Sequence, residues 1–146
     1  VLALRALHLV AIIAWFGSAF VDTIVEVAIA RATSDEKRRV LMELHRTVDL
    51  VLEGPGGVLA LISGALLLRA SGWLTDAPWP EWLRWKIGCA LAAVAINVVS
   101  VGCVAGRVRA LRAGLPTEGW TRAVLATGLG VPFAAVAFWL GLSHTP

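Results

Sequence analysis

The sequence predicts an all-α integral membrane protein, an antiparallel four-helix bundle running up-down-up-down. Three observations predict it. The 146-residue chain is 58% hydrophobic and only 16% charged, with a mean hydropathy of +0.79, whereas a soluble domain carries about 25% charged residues. Its apolar residues gather into four segments, each longer than the ~20 residues that cross a bilayer. The links between them are short, which makes successive helices antiparallel neighbours. The expected organisation is one transmembrane domain over 1–146, with helices at about 1–30, 35–70, 81–111 and 117–143.

The first segment is apolar except for Arg5, His8, Asp22 and Glu26. It is too long for a cleavable signal peptide and lacks a small-residue cleavage pattern. In the second, Ser34 precedes Asp35 and Glu36, which makes an N-cap followed by acidic first-turn residues. That helix is expected to start in water and enter the membrane near Arg46. The link from Ser71 to Pro80 holds Gly72, Asp76, Pro78 and Pro80, a loop composition. Trp73, Trp79, Trp82 and Trp85 surround it and mark a headgroup level. The third segment ends before Gly114 and Pro116. Its Cys89 and Cys103 lie roughly 21 Å apart on one helix and cannot bond to each other. The fourth carries Glu118 in its first turn and Pro132 mid-way, where a kink is expected.

The formal net charge is +3, but the basic residues sit at segment ends and form no aromatic-interleaved patch, which argues against nucleic acid. Nine of the 13 Lys and Arg flank the first and third links, among them Arg31, Arg39, Arg46, Arg107 and Arg112. Arg5, Arg69, Arg84 and Lys86 lie toward the other side. The positive-inside rule then puts the 1–2 and 3–4 links in the cytoplasm and both termini outside.

Chemistry concentrates in the stretch from His45 to Pro55. His45, Asp49 and Glu53 recur every four residues and share one helix face. Gly54, Pro55, Gly56 and Gly57 follow at once, the least helix-friendly run in the chain. On the first helix His8, Trp15, Ser18, Asp22 and Glu26 fall within a sector of about 80°. On the third, Lys86, Cys89, Asn97, Ser100 and Arg107 share a face of similar width. Polar residues in a membrane bundle face inward or line a wet cavity. Three helices are therefore expected to converge on a polar interior, with the fourth packed as a wall.

Counting depth from the helix centres sets Asp22 level with Glu53 and Glu26 level with Asp49. His45 falls one turn nearer the cytoplasmic mouth. Carboxylates that close are not all ionised unless cations neutralise them. Three readings stay open: ion pairs with Arg46 and Arg107 that hold the helices together, a proton or cation conduit, and a divalent metal ion held by Asp22, Glu26, His45, Asp49 and Glu53. At the opposite end His8 is a candidate haem axial ligand. It lies roughly 30 Å in depth from His45, so the two do not ligate one haem.

The run Ala6-Leu7-His8-Leu9-Val10-Ala11-Ile12-Ile13-Ala14-Trp15-Phe16-Gly17 resembles the first helix of the HemJ/CopD-like family of small bacterial membrane proteins. Gly54-Pro55-Gly56-Gly57 through Ser63-Gly64 is similar to its second helix, and Trp82-Leu83-Arg84-Trp85-Lys86 to the Trp-Leu-x-x-Lys opening of its third. The resemblance implies a four-helix inner-membrane protein that binds haem b and, in the HemJ branch, oxidises protoporphyrinogen. It implies importance for His8 and Lys86, expected here as axial ligand and propionate neighbour; Trp15 and Asn97 are expected beside them in the cofactor-binding set. Where many HemJ-type members carry a third-helix His, this chain has Asn97. The expected function is thus a haem-binding membrane protein of this type, an oxidoreductase if haem is bound. The alternatives are the carboxylate conduit and an accessory subunit of a larger membrane complex. The expected partners are the lipid bilayer and either further copies of the chain or a complex partner.

Overall fold

The computed structural model describes residues 1–73, 75 and 78–144; Asp76 of the predicted loop lies outside them. The described residues form helices and turns with no strand. Helix α1 covers Leu2–Ala30. Helix α2, Asp35–Val48, passes through a single π-helical turn at Asp49–Glu53 into α3, Gly54–Ala70. Helix α4 is Glu81–Arg112, and α5 (Glu118–Thr127) is followed by α6 (Gly130–Ser143). Taken end to end these make four spans long and apolar enough to cross a membrane: Leu2–Ala30, Asp35–Ala70, Glu81–Arg112 and Glu118–Ser143. The four-helix membrane architecture agrees with the expectation from sequence.

The bundle is apolar outside and polar inside. Val10, Ile13, Ile24, Val51, Val98 and Trp139 are exposed, while Asp22, Glu26, His45, Asp49, Glu53 and Arg107 are buried. That inversion suits lipid as the surrounding solvent, because tails accept apolar side chains and penalise ionisable ones. Between helices small residues do the packing. Helix α1 packs mainly on α3 and α4 mainly on α6, whereas α1 touches α6 only sparsely. On α3 the buried positions are Gly56, Gly57, Ala60 and Ser63. A Cβ on Gly56 would come within 3.2 Å of the Trp15 backbone, tighter than ordinary contact, so glycine lets the two helices approach without displacement.

Local chemistry explains the ends and breaks. The Ser34 side chain accepts a hydrogen bond from the Lys37 amide at 3.2 Å and caps α2. After α4, Gly114 adopts φ +67 and the Leu115 amide reaches back to the Ala110 carbonyl at 2.9 Å, a Schellman closure. The π turn precedes Pro55, whose ring lacks an N–H and would crowd the carbonyl four residues back. Widening the helix there lets the Gly54 amide bond the Asp49 carbonyl five residues back.

The fourth span breaks at Gly128 and Leu129 rather than bending at Pro132. Proline removes the bond to the carbonyl of residue 128, and the chain substitutes shorter three-residue bonds there, Val131 to Gly128 at 3.1 Å among them. This span also does more than wall off the bundle: Val124, Thr127 and Val131 line its main cavity.

Candidate functional site

Arg107 anchors the polar interior. The first and third stripes bring it opposite Glu26, where no part of its side chain is exposed. Its two terminal nitrogens donate to the two Glu26 oxygens at 3.0 and 2.6 Å, a bidentate pair in planar register. Glu26 also receives a third bond, from His45 Nδ1 at 2.6 Å. Arg107 is always a donor, so its 3.0 Å approach to His45 Nδ1 follows from both groups sharing one carboxylate oxygen. With Nδ1 turned to Glu26 and Arg107, Nε2 is the nitrogen that faces the remaining acids.

Those acids are Asp22 and Asp49. His45 Nε2 stands 3.6 Å from Asp22 Oδ1 and 3.5 Å from Asp49 Oδ1. Both separations exceed the 2.7–3.2 Å of an N–H···O bond. Asp22 Oδ1 and Asp49 Oδ2 are buried with no hydrogen-bond partner among the described residues. One donor atom from each of Asp22, His45 and Asp49 lies within 4.8 Å of the others. Glu53 sits against Asp22 and Asp49, and its carboxylate accepts a hydrogen bond from Asn97 Nδ2. Against these four carboxylates the interior sets one guanidinium.

The residues that could hold a metal ion are Asp22, His45 and Asp49. Donors at about 2.1 Å from a four-coordinate ion lie about 3.4 Å from one another, close to the spacings around Nε2. With an ion at Nε2, the Glu26 bond to Nδ1 would orient the imidazole and raise its basicity. Asp22, Glu26, His45, Asp49 and Glu53, the residues expected from sequence to bind metal, are thus brought together. His45, expected at the mouth, is instead the hub and is 2% exposed. Helix α2 packs against both α1 and α4, so His45 is enclosed between them, which a depth count along a single axis does not register. Arg107 is the counterion and Arg46 is not in the cluster.

The second expected set divides. His8 bonds the Ser63 hydroxyl through Nδ1 at 2.9 Å, and Lys86 lies close against Gly141. His8, Lys86 and Trp15 line a cavity of about 70 Å³, far below the 300–1,000 Å³ of pockets that hold cofactors. Asn97 belongs to the other end, with Glu53. In this arrangement the His8 site does not fit a haem. His144 stacks on Trp82 with ring centroids 4.7 Å apart, close to the tryptophan-rich loop.

A cavity of about 350 Å³ adjoins the carboxylate cluster, between α1, α4 and the α5–α6 span. Asp22, Glu26, His45 and Glu53 form its polar floor, and Phe16, Ile96 and Val131 are among its apolar walls. Sequence reasoning missed this space. The signal was the sequence Gly128-Leu129-Gly130 before Pro132, which weakens the fourth span where the cavity opens.

Comparison with known families matches residues 2–142 to the family described as "Predicted integral membrane protein (DUF2269)". The match covers nearly the whole chain, and the chain belongs to that family. No curated protein and no solved structure matches it.

Proposed function

We propose that this member of the DUF2269 family is a divalent-cation-binding membrane protein whose cluster is the central station of a cation conduit. Asp22, His45 and Asp49 supply the ligands, Glu53 packs beside them, and Glu26 with Arg107 holds His45 in place. One observation carries the reading: His45 Nε2, its other nitrogen committed to Glu26, faces two buried carboxylates at spacings too long for hydrogen bonds. Carboxylate and imidazole donors suit a hard or borderline ion such as Mn²⁺, Fe²⁺ or Zn²⁺. By the positive-inside rule the cluster lies in the cytoplasmic half of the bilayer, where nine basic residues flank the nearby links.

A haem-binding role, implied by the HemJ/CopD-like resemblance, would rest on His8 and Lys86 and would require the space between them to open. The cation reading needs no rearrangement and is preferred for that reason.

Titration with Co²⁺ tests it. A four-coordinate site should give visible absorption saturating at one ion per chain, and Asp49→Asn should weaken binding at least tenfold. In proteoliposomes, Mn²⁺ uptake should fall with the same variant. The absence of saturable Co²⁺ binding in the folded protein, or binding unchanged in Asp49→Asn, would overturn the assignment.

A further inference from the structure

The cavity beside the cluster has a composition and an opening that metal binding alone does not explain. It runs along α1 from Trp15 to Ala30, roughly 22 Å at 1.5 Å per residue. Its volume of about 350 Å³ is far more than an ion and its waters occupy. It also opens sideways. Thr23 and Val27 on α1, with Leu125 and Gly128 on the opposite span, line it and are also exposed at the bundle surface. Helices α1 and α5 make no substantial packing contact that would close the space between them. For a chain whose outer surface meets lipid, such a window faces the bilayer along Thr23 and Val27 and ends near the last residue of α1, Ala30.

Midway along this passage the lining is acidic. Asp22 and Glu53 both line it, at 9% and 7% exposure. The buried Asp22 Oδ1 accepts no hydrogen bond among the described residues. Arg107 is spent on Glu26, so neither of these two acids has a guanidinium partner. Trp15 and Phe16 line the far end, and aromatic faces attract cations in desolvated surroundings. Apolar walls, aromatic rings and an acidic floor whose single guanidinium is held by Glu26 together favour one class of occupant, an apolar molecule bearing a positive charge.

We propose that the cavity binds a lipophilic organic cation, such as an aryl-alkyl ammonium, that enters from the bilayer between α1 and α5 and pairs with Glu53 and Asp22. The site adjoins the proposed metal site and shares Asp22 with it. Asp49, a proposed metal ligand, does not line the cavity, so the two assignments fail separately.

The test is equilibrium binding of radiolabelled benzyltriethylammonium to the full chain in nanodiscs of neutral lipid, against empty nanodiscs. Saturable binding at one molecule per chain is expected. Glu53→Gln should weaken it at least tenfold, and Leu125→Trp, which plugs the window from its rim, should do the same while leaving Co²⁺ binding intact. Asp49→Asn should lose Co²⁺ yet keep the organic cation. The neutral carbon isostere should not compete. Binding no greater than in empty nanodiscs, binding unchanged in folded Leu125→Trp, or equal competition by the isostere would each overturn the proposal. Loss of Co²⁺ binding alone would not.

Discussion

His45 Nδ1 lies 2.6 Å from Glu26 Oε1, and this one contact sets which face of the imidazole meets the rest of the cluster. With Nδ1 committed to Glu26, Nε2 points at Asp22 and Asp49. Glu26 in turn is held by both terminal nitrogens of Arg107. The chain of contacts runs across α4, α1 and α2, so the ligand geometry depends on how three helices pack.

Removing the orienting carboxylate should therefore cost metal affinity without removing a ligand. Glu26→Gln keeps the side-chain volume and loses the charge that raises imidazole basicity. A 10–100-fold weaker Co²⁺ affinity is expected, the range for losing an outer-shell partner. Calorimetric titration of the folded variant checks it; an unchanged affinity would show that Glu26 acts only in packing.

Arg107 is expected to matter more for stability. Arg107→Ala leaves Glu26 buried without its counterion, and breaking one side of a buried pair costs about 3–5 kcal/mol. Thermal unfolding in detergent should show the loss. The double variant Arg107→Ala with Glu26→Gln should recover part of it, because no charge is then stranded.

Pro55 imposes the wide turn that carries Asp49 and Glu53. Pro55→Ala restores a backbone N–H and allows the turn to tighten into ordinary α-helix. The variant should unfold at the same or a higher temperature while binding Co²⁺ more weakly. Full affinity in the variant would separate the π turn from the site.

The spectrum of the protein distinguishes the cation reading from haem. Purified from haem-replete cells, it should show no Soret band, since the space between His8 and Lys86 is about 70 Å³. A band lost in His8→Ala would instead place haem there and require the outer end to open.

Much of this was legible in the chain. The spacing of His45, Asp49 and Glu53 put them on one face, and Asp22 with Glu26 faced them from the first helix, because helical period alone decides such stripes. Gly54-Pro55 announced an irregular backbone beside the acids. Three things were not legible. His45 is enclosed among the acids because α2 packs against both α1 and α4, a matter of helix packing and not of residue count. Asn97 joined Glu53 and not His8, since its partner depends on which part of α2–α3 stands opposite α4. The cavity needed the sparse contact between α1 and the α5–α6 span, which no local pattern records.

Composition by itself determined the solvent of this protein: four apolar runs with short links admit little besides a membrane bundle, because backbone polar groups in lipid are satisfied only within helices or closed barrels. It also determined which residues are costly to bury. Only the tertiary structure decided how that cost is met. A carboxylate is neutralised by whatever lies within a few ångströms, and that distance is set by side chains converging from helices far apart in sequence. Glu26 and Arg107 are 81 residues apart in the chain and 2.6 Å apart in the fold.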